Sequence, residues 1–162
     1  MALHFSKEEF EKRKLKTLQS MKEQNLDALL MFRQESMFWL TGYDTFGYVF
    51  FQTLILDQNG KIILLTRAPD LRQAQNTSNI SDIRIWVDKD GSNPTDDLKA
   101  ILNERNLKGK KIGIEYEAYG MTGRNALRLN KSLDNYCSVE DQSELITKHR
   151  VIKSIEEIVY VK

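Results

Sequence analysis

One stretch constrains the fold more than any other: Tyr48 to Leu56 (YVFFQTLIL), then Asp57-Gln58-Asn59-Gly60, then Lys61 to Thr66 (KIILLT). Aromatic and β-branched residues suit a pleated, buried strand, and Asn-Gly is a strong reversal signal, so the spacing predicts a hairpin of two antiparallel strands. Leu26 to Phe32 (LDALLMF), Ile83 to Val87 (IRIWV), Lys110 to Glu115 (KKIGIE) and Tyr136 to Val139 read as four further short strands. Helical patterns separate most of these. Parallel neighbours need such long crossovers, whereas the hairpin cannot be parallel. The expectation is therefore an α/β fold: a mixed sheet of about six strands with helices on both faces.

The helical segments carry their own punctuation. Ser6 and Glu9 have capping-box spacing and open a helix to about Gln24, with Phe10, Leu18 and Met21 on its apolar stripe and Leu15 nearby. Glu35 to Leu40 gives one or two turns ended by Gly42. Ala68 to Gln75, Pro94 to about Arg105, Thr122 to Ser132 and a short piece near Leu145 and Ile146 complete the set. Ser154 and Glu157 form another capping box, after which Ile155, Ile158 and Val159 share one face. No Gly, Asn or Pro closes that helix before Lys162, so more polypeptide is expected to follow.

Charge narrows the partners. The 24 basic and 23 acidic side chains leave a net charge of +1, which gives no electrostatic case for nucleic acid or an anionic membrane. No apolar run approaches the ~20 residues that span a bilayer, and the first residues lack a signal-peptide core. Cys137 is the single cysteine, which fits a reducing cytoplasm and a small buried hydrophobe.

Sites of chemistry are scarce. A hydrolytic metal centre needs several His, Asp, Glu or Cys ligands together, and the two histidines, His4 and His149, stand apart in sequence. No nucleophile elbow, dinucleotide fingerprint or phosphate loop is present. The glycines of Tyr119-Gly120-Met121-Thr122-Gly123 read as a turn that starts the next helix, with a phosphate cradle as the alternative. Phe38 to Tyr48 (FWLTGYDTFGY) stands out, with five aromatics in eleven residues beside two glycines. Some of these rings can cover the sheet. A loop between Gly42 and Gly47 is hard to bury whole, so Tyr43, Asp44 and Phe46 are candidates for an exposed aromatic-polar tip at an interface or ligand pocket. Both readings stay open.

At this loop the chain resembles a known family. Asn25-Leu26-Asp27-Ala28-Leu29-Leu30, then Ser36 to Tyr43 (SMFWLTGY), Asp57 to Gly60, Leu65-Thr66-Arg67, Lys111 to Glu115 (KIGIE), and Arg150 to Ser154 with Glu157-Ile158 follow, in order, the amino-terminal domain of the creatinase/prolidase family. The resemblance implies a ribonuclease H-like three-layer domain over 1–150, with 151–162 starting a linker helix to a carboxy-terminal catalytic domain. It implies that the parent protein is a metal-dependent Xaa-Pro dipeptidase or aminopeptidase. Two divalent ions (Mn, Co or Zn) would be held by Asp, His and Glu in that other half, with no cofactor and no catalytic residue in this one. This half would serve a homodimer and shape access for a peptide or small amide substrate, with Tyr43, Asp44 and Phe46 approaching the pocket, including that of the neighbouring subunit. Two alternatives come with the family: a peptide-binding module without activity, as in the large subunit of the histone chaperone FACT, and half of a creatinase-like small-molecule amidohydrolase.

Overall fold

A computed structural model describes residues 3–162. Six strands form one sheet: β1 (Ala28–Met31), β2 (Thr53–Asp57), β3 (Ile62–Arg67), β4 (Ile83–Trp86), β5 (Lys111–Ile114) and β6 (Ser138–Asp141). Their spatial order is β4-β3-β2-β1-β5-β6. Only β2 runs against the rest: it is antiparallel to β1 and β3, while β3–β4, β1–β5 and β5–β6 pair in parallel. The mixed sheet expected from the hairpin is what forms. Asp57 fixes the hairpin turn, its Oδ1 accepting from the Asn59 and Lys61 amides while Gly60 takes φ +80°. In that left-handed region only glycine is unstrained.

Among the described residues there are seven α-helices: α1 (Lys7–Glu23), α2 (Gln34–Thr41), α3 (Leu71–Thr77), α4 (Pro94–Glu104), α5 (Gly123–Leu133) and α6 (Leu145–Val151), which cover the sheet, and α7 (Ile155–Val161), which packs outside them. Strand alternation divides the core in two. Ala28, Leu30, Ile55, Ile63 and Leu65 point toward Leu98, Leu102, Leu129 and Leu133 of α4 and α5. Leu29, Met31, Leu54, Leu56 and Leu64 point toward Met21, Met37, Leu40, Ala74 and Ile146 of α1, α2, α3 and α6. Both faces are covered, as near-continuous apolar strands require. Among the described residues no helix is long and apolar enough to cross a membrane.

Several local expectations are corrected. Tyr48 to Leu56 is not one strand: Phe46–Val49 forms a 3₁₀ turn and β2 begins at Thr53. The Thr45 hydroxyl accepts from the Gly47 amide, and the Asp70 carboxylate packs so close to Gly47 that a Cβ there would lie 2.4 Å from its oxygen. Those contacts outweigh the β propensity of the aromatics. The Ala68 to Gln75 helix is a 3₁₀ turn at Ala68–Asp70 followed by α3. The last strand starts two residues late, because Tyr136 turns inward and donates to Asn103 Oδ1.

The inward stripe of α1 is Phe10, Arg13, Thr17 and Met21, and Leu15 is exposed. Arg13 is buried despite its charge because most of its guanidinium is engaged. Nε donates to Glu9, Nη1 donates to the Trp39 carbonyl, and the plane lies 4.1 Å from the Phe5 ring centroid. Glu9 is thereby drawn away from the capping box expected with Ser6. Glu156 of α7 replaces it, accepting from the Ser6 amide at 2.9 Å and the Ser6 hydroxyl at 2.6 Å. The Ser154–Glu157 box forms in full. None of the apolar residues of α7 is buried; polar contacts hold the helix to α1, with Tyr160 also donating to the His4 carbonyl.

Candidate functional site

The strand order identifies where to look. From β1 the chain turns to one side for β2, β3 and β4, then crosses back to β5 on the other side. In open α/β sheets the carboxyl ends of strands at such a reversal leave a crevice that ligands use. Here a crevice of about 530 Å³ is lined by Arg33, Glu35, Tyr116, Glu117, Ala118, Tyr119 and Arg150. Arg33 follows β1 and Tyr116 follows β5. The Arg33 guanidinium donates to the Glu117 carboxylate at 2.8 Å and to Thr147 at 2.6 Å, bracing the crevice wall.

The floor of this crevice is filled by the protein itself. Glu115 is fully buried, and its Oε2 accepts from the Phe32 and Arg33 amides, both at 3.0 Å. Its Oε1 lies 2.5 Å from the Ser36 hydroxyl. Arg33 makes no side-chain cap for α2, so the carboxylate supplies from β5 the cap that the local sequence lacks. Burial pushes the Glu115 carboxyl up to about 7, against the pull of Ser36, the two amides and Arg33. An anion-seeking helix start is thus already occupied.

The three residues singled out in the sequence are separated. Tyr43 is not at a tip: it is fully buried, and its hydroxyl donates to Gln52 Oε1 at 2.7 Å and lies 3.3 Å from the Thr66 hydroxyl. Burial raises its pKa. Its ring extends the core on the α2 face, which corrects the exposed placement expected for it. Asp44 is exposed and lines a second cleft of about 360 Å³ with Phe5, Arg13, Gln34, Glu35, Phe38, Trp39, Arg150, Lys153 and Glu157. Phe46 is 85% exposed and belongs to an aromatic ridge with Tyr48, Val49 and Phe50, joined by Tyr119, whose ring meets Tyr48 edge-on at 5.6 Å.

The ridge is rigidly mounted. Arg67 stacks on Phe50 at 3.4 Å from the ring centroid and pairs with Asp70, while Asp70 accepts from Thr45 at 2.8 Å. Preorganised aromatic side chains of this kind suit contact surfaces, because little entropy remains to be lost on binding. Phe46 and Asp44 are exposed, as expected of them from the sequence, whereas Arg33, Glu115, Tyr119 and Arg150 were not among the candidates there. Arg33, Glu115 and Tyr119 carry a positional signal, lying past the ends of β1 and β5 and recognisable only once those strands are known to be neighbours; Arg150, on α6, carries none.

Among the described residues no group of three His, Cys, Asp or Glu side chains could hold a metal ion. The donor set here does not fit the ions that the resemblance implies. His149 stacks on Trp39, and burial lowers its pKa. Burial pushes the Cys137 thiol up, which disfavours a thiolate nucleophile.

Comparison with known proteins agrees with this picture. The model of the Creatinase/Prolidase N-terminal domain matches residues 13–152. A protein of Sinorhizobium fredii described as an uncharacterized hydrolase/peptidase is 30% identical over 99% of this chain and 42% of its own length. Ectoine hydrolase of Halomonas elongata is 27% identical over all of this chain and again 42% of its own. The chain thus spans about two fifths of the length of these curated relatives. Among solved structures, prolidase from Thermococcus sibiricus superposes with a TM-score of 0.76 at 20% identity, over 93% of this chain and 39% of that one. That likeness shows the shared fold. An ordered sequence match, a mixed six-stranded sheet and the family model's span agree: the chain belongs to the creatinase/prolidase N-terminal domain family.

Proposed function

We propose that this chain is the non-catalytic half of an Xaa-Pro dipeptidase or aminopeptidase, serving dimerisation and the shaping of substrate access. One observation carries the reading: the whole chain aligns with hydrolases of which it accounts for only 42%. Bond cleavage by two divalent ions belongs, on this reading, to the remaining part, and the residues described here take no step in it. Their role is to present surface. The Phe46–Phe50 ridge and Tyr119 form one braced apolar face that a catalytic domain or second subunit would cover, and Asp44 and Phe46 would stand near the substrate's path.

A second reading is favoured by the ectoine hydrolase match, in which the substrate is a small cyclic molecule in place of an Xaa-Pro peptide. The experiment compares the product of the whole gene with residues 1–162, each given Xaa-Pro dipeptides and ectoine in the presence of manganese. The proposal expects dipeptide turnover by the former and none by the latter. Turnover by residues 1–162 alone would overturn it, and ectoine opening without dipeptide cleavage would replace it with the second reading.

A further inference from the structure

We infer that Asn59 is the residue at which this chain deamidates spontaneously, by ring closure onto the Gly60 amide, and that the Asp57–Arg105 ion pair holds the reaction in check. Asparagine is among the thermolabile residues. Its reactivity depends on its successor, because the next backbone nitrogen must reach the side-chain Cγ and a side chain on that next residue obstructs the approach. Of the ten asparagines in the sequence, only Asn59 precedes a glycine. Asn25, Asn106 and Asn135 also sit at chain reversals, with φ 56°, but Leu26, Leu107 and Tyr136 follow them. Asn59 is exposed to water, and its side chain makes no hydrogen bond among the described residues; only its backbone amide is engaged.

Water is the one co-reactant. The Gly60 nitrogen yields its proton to solvent and bonds to Asn59 Cγ, the Cγ–Nδ2 bond breaks, and ammonia leaves with a proton from water. A second water opens the resulting ring. Attack at Cγ gives aspartate, whereas attack at the main-chain carbonyl gives isoaspartate, which lengthens the β2–β3 turn by one backbone atom. The folded turn opposes the first step. The Gly60 amide donates to the Asp57 carbonyl at 2.9 Å, and the Asn59 and Lys61 amides donate to Asp57 Oδ1 at 2.9 and 3.1 Å. Swinging Cγ onto the Gly60 nitrogen breaks this set. Asp57 is buried and gripped from the end of α4, where Arg105 Nε and Nη2 donate to Oδ2 at 2.9 and 2.6 Å. One carboxylate thus ties the turn to a helix through charge-assisted bonds on both oxygens. Arg105 is a positioning residue that acts through Asp57.

The test follows the 162-residue protein in mildly alkaline buffer by peptide mass spectrometry and isoaspartate detection, folded and in concentrated urea. The expected result is a gain of one dalton, with isoaspartate, at position 59 before any other asparagine, and at least ~10-fold faster in urea than in the folded state. Arg105→Ala should speed the folded reaction roughly 10-fold, the loss of one charge-assisted pair, while Arg105→Lys, which keeps a cation beside Asp57, restores slow conversion. Hydrogen exchange separates loosening of the turn from general unfolding: the Gly60 amide should exchange faster in Arg105→Ala while the Leu30 amide in β1 does not. Conversion of another asparagine first, equal rates at Asn59 in the folded and urea-unfolded wild type, or equal rates in Arg105→Lys and Arg105→Ala overturns the inference. The hydrolase-half reading stands whichever way the result falls.

Discussion

Glu115 offers the sharpest test of the structural reasoning. Its carboxyl is moved by burial from the ordinary 4.5 up to about 7. Between those values the native protein holds a proton that the unfolded chain has released. Stability is therefore fully present below pH 4.5 and is lost as pH rises through about 7. Each unit is worth ~1.4 kcal/mol, so this one group should remove about 3 kcal/mol of stability between pH 4 and pH 8. The surroundings tolerate both states. Oε2 accepts from the Phe32 and Arg33 amides in either case, and a protonated Oε1 donates to the Ser36 hydroxyl that otherwise donates to it.

Glu115→Gln copies the protonated form. Its amide oxygen can take the two backbone donors and its NH₂ can reach Ser36. Urea unfolding at pH 4.5, 6, 7 and 8 should show the variant nearly equal to wild type at the acid end. At pH 8 it should be more stable, by up to about 3 kcal/mol. Glu115→Ala strands two buried amides and should lose about 2–4 kcal/mol at the acid end, a deficit that narrows toward pH 8 as the wild type itself loses stability. If the Gln variant were less stable than wild type at pH 8, the carboxylate would be contributing net stabilisation, and the argument from desolvation would be wrong.

Three further outcomes follow from the packing. Gly120→Ala would place a Cβ 2.3 Å from the Phe50 carbonyl oxygen, so thermal unfolding should show a loss of about 1–3 kcal/mol as backbone is forced aside. Tyr43→Phe removes one hydroxyl from the Gln52–Thr66 pair and should cost about 1 kcal/mol in urea, whereas Asp44→Asn, on the surface, should stay within about 0.5 kcal/mol. Phe46→Ser with Tyr119→Ser should leave the melting temperature nearly unchanged while shifting sedimentation toward monomer, if the ridge is the face through which subunits meet.

The fold was largely legible because its signals are local. Asp57-Gln58-Asn59-Gly60 declares the hairpin, Ser154 and Glu157 declare a helix start, and Gly42 ends α2 with φ +81° as a C-terminal glycine should. The errors fall where distant residues intervene. Thr45 and Asp70 coil Phe46–Val49 against its propensity, and Glu156 displaces Glu9 at Ser6 from 150 residues away. The candidate site was less legible for the same reason. Tyr43 and Phe46 look alike in sequence, yet one ring enters the core and the other faces water, because the turn beginning at Thr45 reverses the chain between them. Arg150 and Asp44 face one cleft only after α6 has packed beside α2.

The single reversed strand carries a consequence for how the molecule assembles. β2 and β3 close through a tight turn, and β1 precedes them across one connection that contains α2, so these three neighbours can pair with shorter closures than the rest of the sheet. The seam between β1 and β5 cannot, since Glu115 meets the Phe32 amide across 83 residues. The expected order has β1–β3 pairing first and the β5–β6 segment docking onto the open edge of β1 afterwards, with the Glu115 clasp engaging late. Mutations at that seam should accelerate unfolding and leave the refolding rate nearly untouched.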